Sequence, residues 1–336
     1  MDFNGDLFRE RVRNLTGLSI AAIGYPGGRS RNSVRLIMSD QSTIFATARP
    51  MNNRSTRELD LLWTLERAGV PCPAVLGVDE GFFLQSDVGT QRLSDALAAP
   101  ISGYRRRDLV NAGLRALADA RSALADAGFS ERLEPRFPSI EKRLDRANLP
   151  LKLAQIAGLP RADYDPDVLA AGLELTCEVA VKADARPANA IVTEAGEIAW
   201  IDWDRAKCGS PLDDLISLLC DEYMVLPDEF EAAIVAQQVL ECSDDDFAEG
   251  AEAYACYEGV LKCCRRLDLI VEKLLEKGAW WDADLCLAED RSGVSVLYVD
   301  RLCARGSRWS RRRPETAGLA EFFEKLPASL TRKWPE

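Results

Sequence analysis

The chain has 336 residues, 47% of them hydrophobic, enough to fill one large two-lobed domain or two ordinary ones, and it carries a formal charge of −12. That charge disfavours nucleic acid as a partner. The complete absence of histidine excludes Ser/His/Asp hydrolysis, histidine general bases and histidine metal ligands, and leaves acid–base work to carboxylates, Tyr, Cys or Lys.

The start, Met1 to Asp6, is acidic and lacks an apolar h-region, and no apolar run approaches the ~20 residues of a membrane helix. A cytoplasmic protein without membrane association is therefore expected. Its ten cysteines are expected as reduced thiols, and with no CxxC pair a structural zinc site is not expected.

In chain order, the first ninety residues read as strand-rich. Residues 18–23 lead into the glycine loop Gly24 to Ser30, and residues 33–38 and 43–49 flank the turn Ser39-Asp40-Gln41-Ser42. Apolar spacing over residues 57–65 predicts a helix that Gly69, Pro71 and Pro73 terminate. Residues 74–78 and 82–85 predict two more strands around Asp79-Glu80-Gly81. After Gly89 the pattern turns helical, over 107–127, 166–179, 227–240, 246–275 and 316–326. Only 190–192 and 198–201, around Glu194-Ala195-Gly196, read as strands there. Acidic residues crowd after Asp213, including Asp221, Glu222, Asp228, Glu229, Glu231 and Asp244 to Asp246, which makes either a solvated acidic face or an attraction for a cationic small substrate.

The stretch from Val181 to Leu215 carries the chemistry. Asp184 and Asn189 stand five apart in a loop with Pro187, and the far strand of the following hairpin delivers Asp202 beside Trp203. Phosphoryl transfer needs a carboxylate at the attacking hydroxyl and oxygen ligands that hold Mg²⁺ against the phosphates, and such a loop and strand end can place all three side chains in one cleft. The pattern matches the kinase HRDxxxxN and DFG signatures, with Lys182-Ala183-Asp184 and Asp202-Trp203-Asp204 in their places. With the segment Gly209-Ser210-Pro211-Leu212-Asp213-Asp214-Leu215, the chain resembles the aminoglycoside phosphotransferase and choline kinase-like family. On residues 84–89 and 214–224 it most resembles the bacterial amino-sugar kinases of cell-wall recycling.

The resemblance implies an α+β, bilobal protein kinase-like fold. Residues 1–88 would form a nucleotide-binding lobe, a small antiparallel sheet with one helix, and residues 89–336 a larger, mainly helical lobe with the catalytic loop and substrate site. It implies an ATP- and Mg²⁺-dependent phosphotransferase acting on a hydroxyl of an amino sugar or amino alcohol. Asp184 would be the catalytic base or hydroxyl-orienting residue, Asn189 and Asp202 would bind Mg²⁺, and Gly27, Gly28, Ser30 and Gln85 would belong to the nucleotide site. Asp214 would anchor the catalytic loop, and Asp221, Glu222 and Trp203 would neighbour the acceptor.

Two departures stand out. Lys182 replaces the loop histidine, and no lysine precedes Lys142, so the phosphate-contacting strand lysine is missing. Arg49 is the best substitute and Glu58 its natural partner, although a planar guanidinium has a different geometry. The alternative these departures raise is a pseudokinase that binds nucleotide or a partner without transfer.

Overall fold

The computed structural model describes residues 2–26, 28, 31–174, 178–242 and 248–335, with only the backbone of residues 248 and 249. Five antiparallel strands, β1 (Ile20–Gly24), β2 (Ser33–Met38), β3 (Thr43–Ala48), β4 (Val75–Asp79) and β5 (Phe82–Ser86), form one sheet in the order β1-β2-β3-β5-β4. Alternation sets its faces: Val34, Leu36 and Met38 point into the core while Arg35 lies on the other face. The turn between β2 and β3 closes on Asp40, whose carboxylate accepts from the amide and hydroxyl of Ser42.

Two helices flank the sheet. The expected one, α2 (Asn53–Arg67), is capped by Asn52, whose side chain accepts from the amides of Arg54 and Ser55, and it ends before Gly69, which takes φ +72°. An additional helix, α1 (Asp6–Thr16), presses Phe8 and Val12 into the sheet core, with the Phe8 ring edge-on to Phe82 at 5.2 Å. Its apolar stripe is short and interrupted by charged residues, which is why it escapes a pattern reading.

The remainder is mainly helical and packs around the helix Ala248–Lys277, for which the expected start at Asp246 lies outside the described residues. The expected helix over 166–179 stops at Gly172, and Val179–Val181 instead forms a strand paired with Lys207–Gly209. The β-branched Val179 and Val181 pack well on a pleated surface and poorly in a helix, and Ala180 and Val181 are buried there. The expected hairpin is present as Ala190–Val192 and Ile198–Trp200, turning at Gly196 with φ +79°, and Gln91–Arg92 extends it.

Helices Val296–Ser310 and Leu319–Lys333, in a region that matches no motif, complete this core. Trp309 lies so close to Gly259 that an added Cβ would stand 2.0 Å from the indole. No helix of the described residues is long and apolar enough to cross a membrane, and the described cysteines are free thiols.

Candidate active site

The loop after strand Val179–Val181 is held from below. Asp214, in the first turn of helix Asp213–Leu219, accepts from the backbone amides of Lys182 (3.0 Å) and Ala183 (2.9 Å). Charge-assisted bonds of this kind fix backbone that would otherwise relax. Ala183 is kept at φ +63° and Asp202, past the hairpin, at φ +58°, left-handed conformations that cost a non-glycine residue on the order of 1 kcal/mol or more. Both strained positions flank groups expected to do chemistry.

Asn189 closes the loop on itself, donating from Nδ2 to the Asp184 carbonyl (3.0 Å) and to Asp184 Oδ2 (3.1 Å). Lys182, fully buried, spans to the segment of Asp202: its Nζ donates to the carbonyls of Asp202 (2.7 Å) and Asp184 (3.3 Å) and lies 5.5 Å from the Trp203 ring centroid. The residue that replaces the loop histidine thus ties together the two segments bearing Asp184 and Asp202.

Arg49 points into the cleft. Its guanidinium pairs with the buried Glu58, lies 3.2 Å from Asp204 and reaches Asp202 at 3.6 Å. Burial pushes the Glu58 carboxyl up to about 7; Arg49 opposes that and the charges of Asp202 and Asp204 reinforce it. Burial likewise works against ionisation of Asp184, but Arg186, Lys182, Lys262 and Arg205 overcome it and hold that carboxyl at about 2. Asp184 is therefore a carboxylate across the neutral range.

A metal ion suits the donors present. The Asp202 carboxylate is 44% exposed and no described side chain donates a hydrogen bond to it, while Asp204 Oδ1 is buried without a hydrogen-bond partner two residues on. Among the described residues no three His, Cys, Asp or Glu side chains form a cage, and Mg²⁺ does not require one, since it binds through one or two side chains, substrate phosphates and water.

The remaining expected residues fall in different places. Gly27 and Ser30 lie outside the described residues. Gly28 takes φ +84° and its amide donates to the Tyr25 carbonyl. Gln85 is half-buried on β5, opposite Phe45.

The acceptor side departs from expectation. Asp221 and Glu222 are fully buried: Asp221 accepts from Arg186 Nε at 2.7 Å and Glu222 from Arg266 Nε at 2.7 Å. Trp203 is buried as well, its indole NH bonded to the Trp200 carbonyl. None of the three reaches the cavity of about 1000 Å³ that opens beside Asp184. Two guanidiniums stand in front of the acids and neutralise them.

That cavity is lined by Arg54, Arg57, Arg186, Arg205, Lys207, Lys262, Arg265 and Arg266, against only Glu134, Asp184 and Asp204 as carboxylates. Pattern reading missed this basic lining because the cations come from four separate stretches of an acidic chain. It missed Asp290 as well, which accepts from Arg31 of the glycine-loop region and lies near Arg92 (3.6 Å) and Arg186 (3.8 Å), so that it bridges the glycine-loop region to the loop of Asp184.

Residues 22–252 match the phosphotransferase enzyme family, APH. Among solved structures, the gentamicin complex of APH(2")-IIa aligns at 17% identity over 93% of this chain and 98% of that one, with a TM-score of 0.53. An aminoglycoside phosphotransferase homologue from Ralstonia eutropha aligns at 15% identity over 95% and 97%, with a TM-score of 0.53. The macrolide 2'-phosphotransferase MphH from Brachybacterium faecium aligns at 14% identity over 80% and 93%, also with a TM-score of 0.53. No curated protein matches by sequence. At these identities the solved structures speak for the fold, the bilobal kinase-like arrangement of antiparallel sheet and helices. The family match spans most of the chain, including the loop of Asp184 and the strand end of Asp202, so the protein belongs to the phosphotransferase enzyme (APH) family.

Proposed function

We propose that the protein is a Mg²⁺- and ATP-dependent kinase that phosphorylates a hydroxyl of a small molecule. The observation that carries this reading is the convergence of Asp184 and Asn189 on one anchored loop with Asp202, Arg49 and Glu58 across the cleft. Asn189 and Asp202 would hold Mg²⁺, which supplies charge neutralisation and alignment of the ATP phosphates.

Asp184 accepts a hydrogen bond from the acceptor hydroxyl and aims its oxygen at the γ-phosphorus. As the new P–O bond forms and the bond to the leaving ADP oxygen breaks, the hydroxyl proton passes to Asp184 and on to solvent. A carboxyl held at about 2 is a weak proton sink, so Asp184 works chiefly by orientation, with proton uptake late in the step. Arg49 supplies the positive charge that a strand lysine would otherwise bring, with Glu58 fixing its direction. That inward direction favours transferase over pseudokinase. The amino-sugar acceptor implied by residues 84–89 and 214–224 has less support, since the acids placed near it are already paired with arginines.

Thermal unfolding of the purified chain with Mg-ATP tests the reading. The midpoint rises by several degrees when the nucleotide far exceeds its Kd. Both EDTA and Asp202→Ala reduce most of that rise. An unchanged midpoint with Mg-ATP counts against a nucleotide site.

A further inference from the structure

The cavity beside Asp184 has the wrong sign for a cationic acceptor. It shares Asp184 with the transfer site but is lined by none of Gly28, Arg49, Asn189 and Asp202, so its cations are separate from those expected to meet the nucleotide. Most are balanced locally: Arg54 by Asp204, Lys207 by Glu134, Arg266 by Glu222.

Two have no direct ion pair among the described residues and act on Asp184 only at longer range. Arg205 is exposed and pairs with no carboxylate among the described residues, and neither does Lys262, which is only 8% exposed. The Lys262 ammonium donates to Ser217 Oγ at 2.8 Å, and the residue lines the cavity. Burial and the charges of Arg136 and Arg146 work against the Lys262 ammonium, and Asp184 and Glu258 offset them only in part. Arg186 also lines the cavity, but its charge is taken up by Asp221, Glu222 and Asp290. Arg265, 44% exposed and anchored by Asp268 at 2.9 Å, adds a further cation to the lining.

Resting on the kinase reading, we infer that the acceptor is an alcohol that carries its own anionic group, a phosphate monoester or a carboxylate, which docks on Lys262, Arg205 and Arg265 while its hydroxyl meets Asp184. The anion gives the Lys262 ammonium an acceptor beyond Ser217 and offsets the excess of cations over carboxylates around the cavity. Both chemical sources share this requirement. The volume of the cavity, about 1000 Å³, accommodates a sugar-sized molecule.

The test is calorimetric titration of the full chain, first saturated with Mg²⁺ and a non-hydrolysable ATP analogue, with glucose 6-phosphate, glycerate, inorganic phosphate, glucose and choline. At least one of the anionic compounds binds, glucose and choline bind far more weakly, and anion affinity falls as salt rises from about 50 to about 500 mM. Lys262→Met and, separately, the more exposed Arg265→Ala each weaken anion binding by roughly tenfold or more, the loss expected for one charged contact, with nucleotide affinity unchanged. Binding of inorganic phosphate alone, insensitive to both variants, overturns the proposal as an adventitious ion only. Choline binding in preference to the anions overturns it too, as does failure of every anion to bind the nucleotide-loaded protein, and in both cases the kinase reading stands. Anion binding that depends on Lys262 in a chain that binds no nucleotide supports the anion site and removes the kinase reading.

Discussion

Glu58 offers a test of the cleft's electrostatics that needs no substrate. It is 3% exposed on α2, and its carboxyl is raised from the ordinary 4.5 to about 7, so the folded chain keeps a proton there that the unfolded chain releases. The sign follows from linkage: stability from this group is fully present below 4.5 and is lost as pH rises to 7. At about 1.4 kcal/mol per pH unit, the interval from 4.5 to about 7 amounts to about 3 kcal/mol, with little screening at so buried a site. Glu58→Gln is nearly isosteric with the protonated acid and cannot ionise. Urea unfolding of both proteins in EDTA should give nearly equal stabilities at pH 4.5, with the variant gaining on wild type by about 3 kcal/mol by pH 8. A difference that stays flat within about 0.5 kcal/mol across that range would refute the assignment of a buried, proton-retaining Glu58.

The same substitution leaves Arg49 with only Asp202 and Asp204 to direct it, so near pH 8 the variant should gain stability and lose activity together. Arg49→Ala, measured as kcat with a phosphorylated acceptor, is expected to fall by roughly 10²-fold, the loss typical of removing one transition-state charge contact, and Arg49→Lys should recover part of it; equal rates for all three would remove Arg49 from the mechanism. Lys182→Met leaves the carbonyls of Asp202 and Asp184 without their donor and should cost roughly 2 kcal/mol in urea unfolding along with a drop in kcat. A Lys182→Met protein as stable and active as wild type would mean that the lysine is not the tie between the two segments.

Local pattern was enough to read the sheet, α2, the hairpin and the motif loop, because each is written in residues close together in the chain: Asn52 and Gly69 bound α2, Gly196 turns the hairpin, and Asp184 and Asn189 meet across five residues. The Arg49 and Glu58 pair was legible too, since strand and helix are consecutive. What depends on distant segments was not. Asp221 and Glu222 looked like an acidic acceptor wall, yet Arg186 and Arg266, separated from them by tens of residues, take up both charges. Lys262 sits in a long helix with no local mark of function, and only the fold brings it beside Asp184. Lys182 looked like a loss relative to a histidine, whereas its Nζ makes bonds to two backbone carbonyls that link the catalytic loop to Asp202.

The most direct test of phosphoryl transfer is mass-spectrometric detection of a phosphorylated product when the purified chain is incubated with Mg-ATP and a panel of sugar phosphates, hydroxy acids, amino sugars and amino alcohols. The structure predicts that at least one alcohol gains a phosphoryl group with release of ADP, and that Asp184→Asn, which keeps the fold, slows that turnover by roughly 10²-fold or more. Product formation at an undiminished rate in Asp184→Asn, or no product from any alcohol in a chain that binds Mg-ATP, would contradict it.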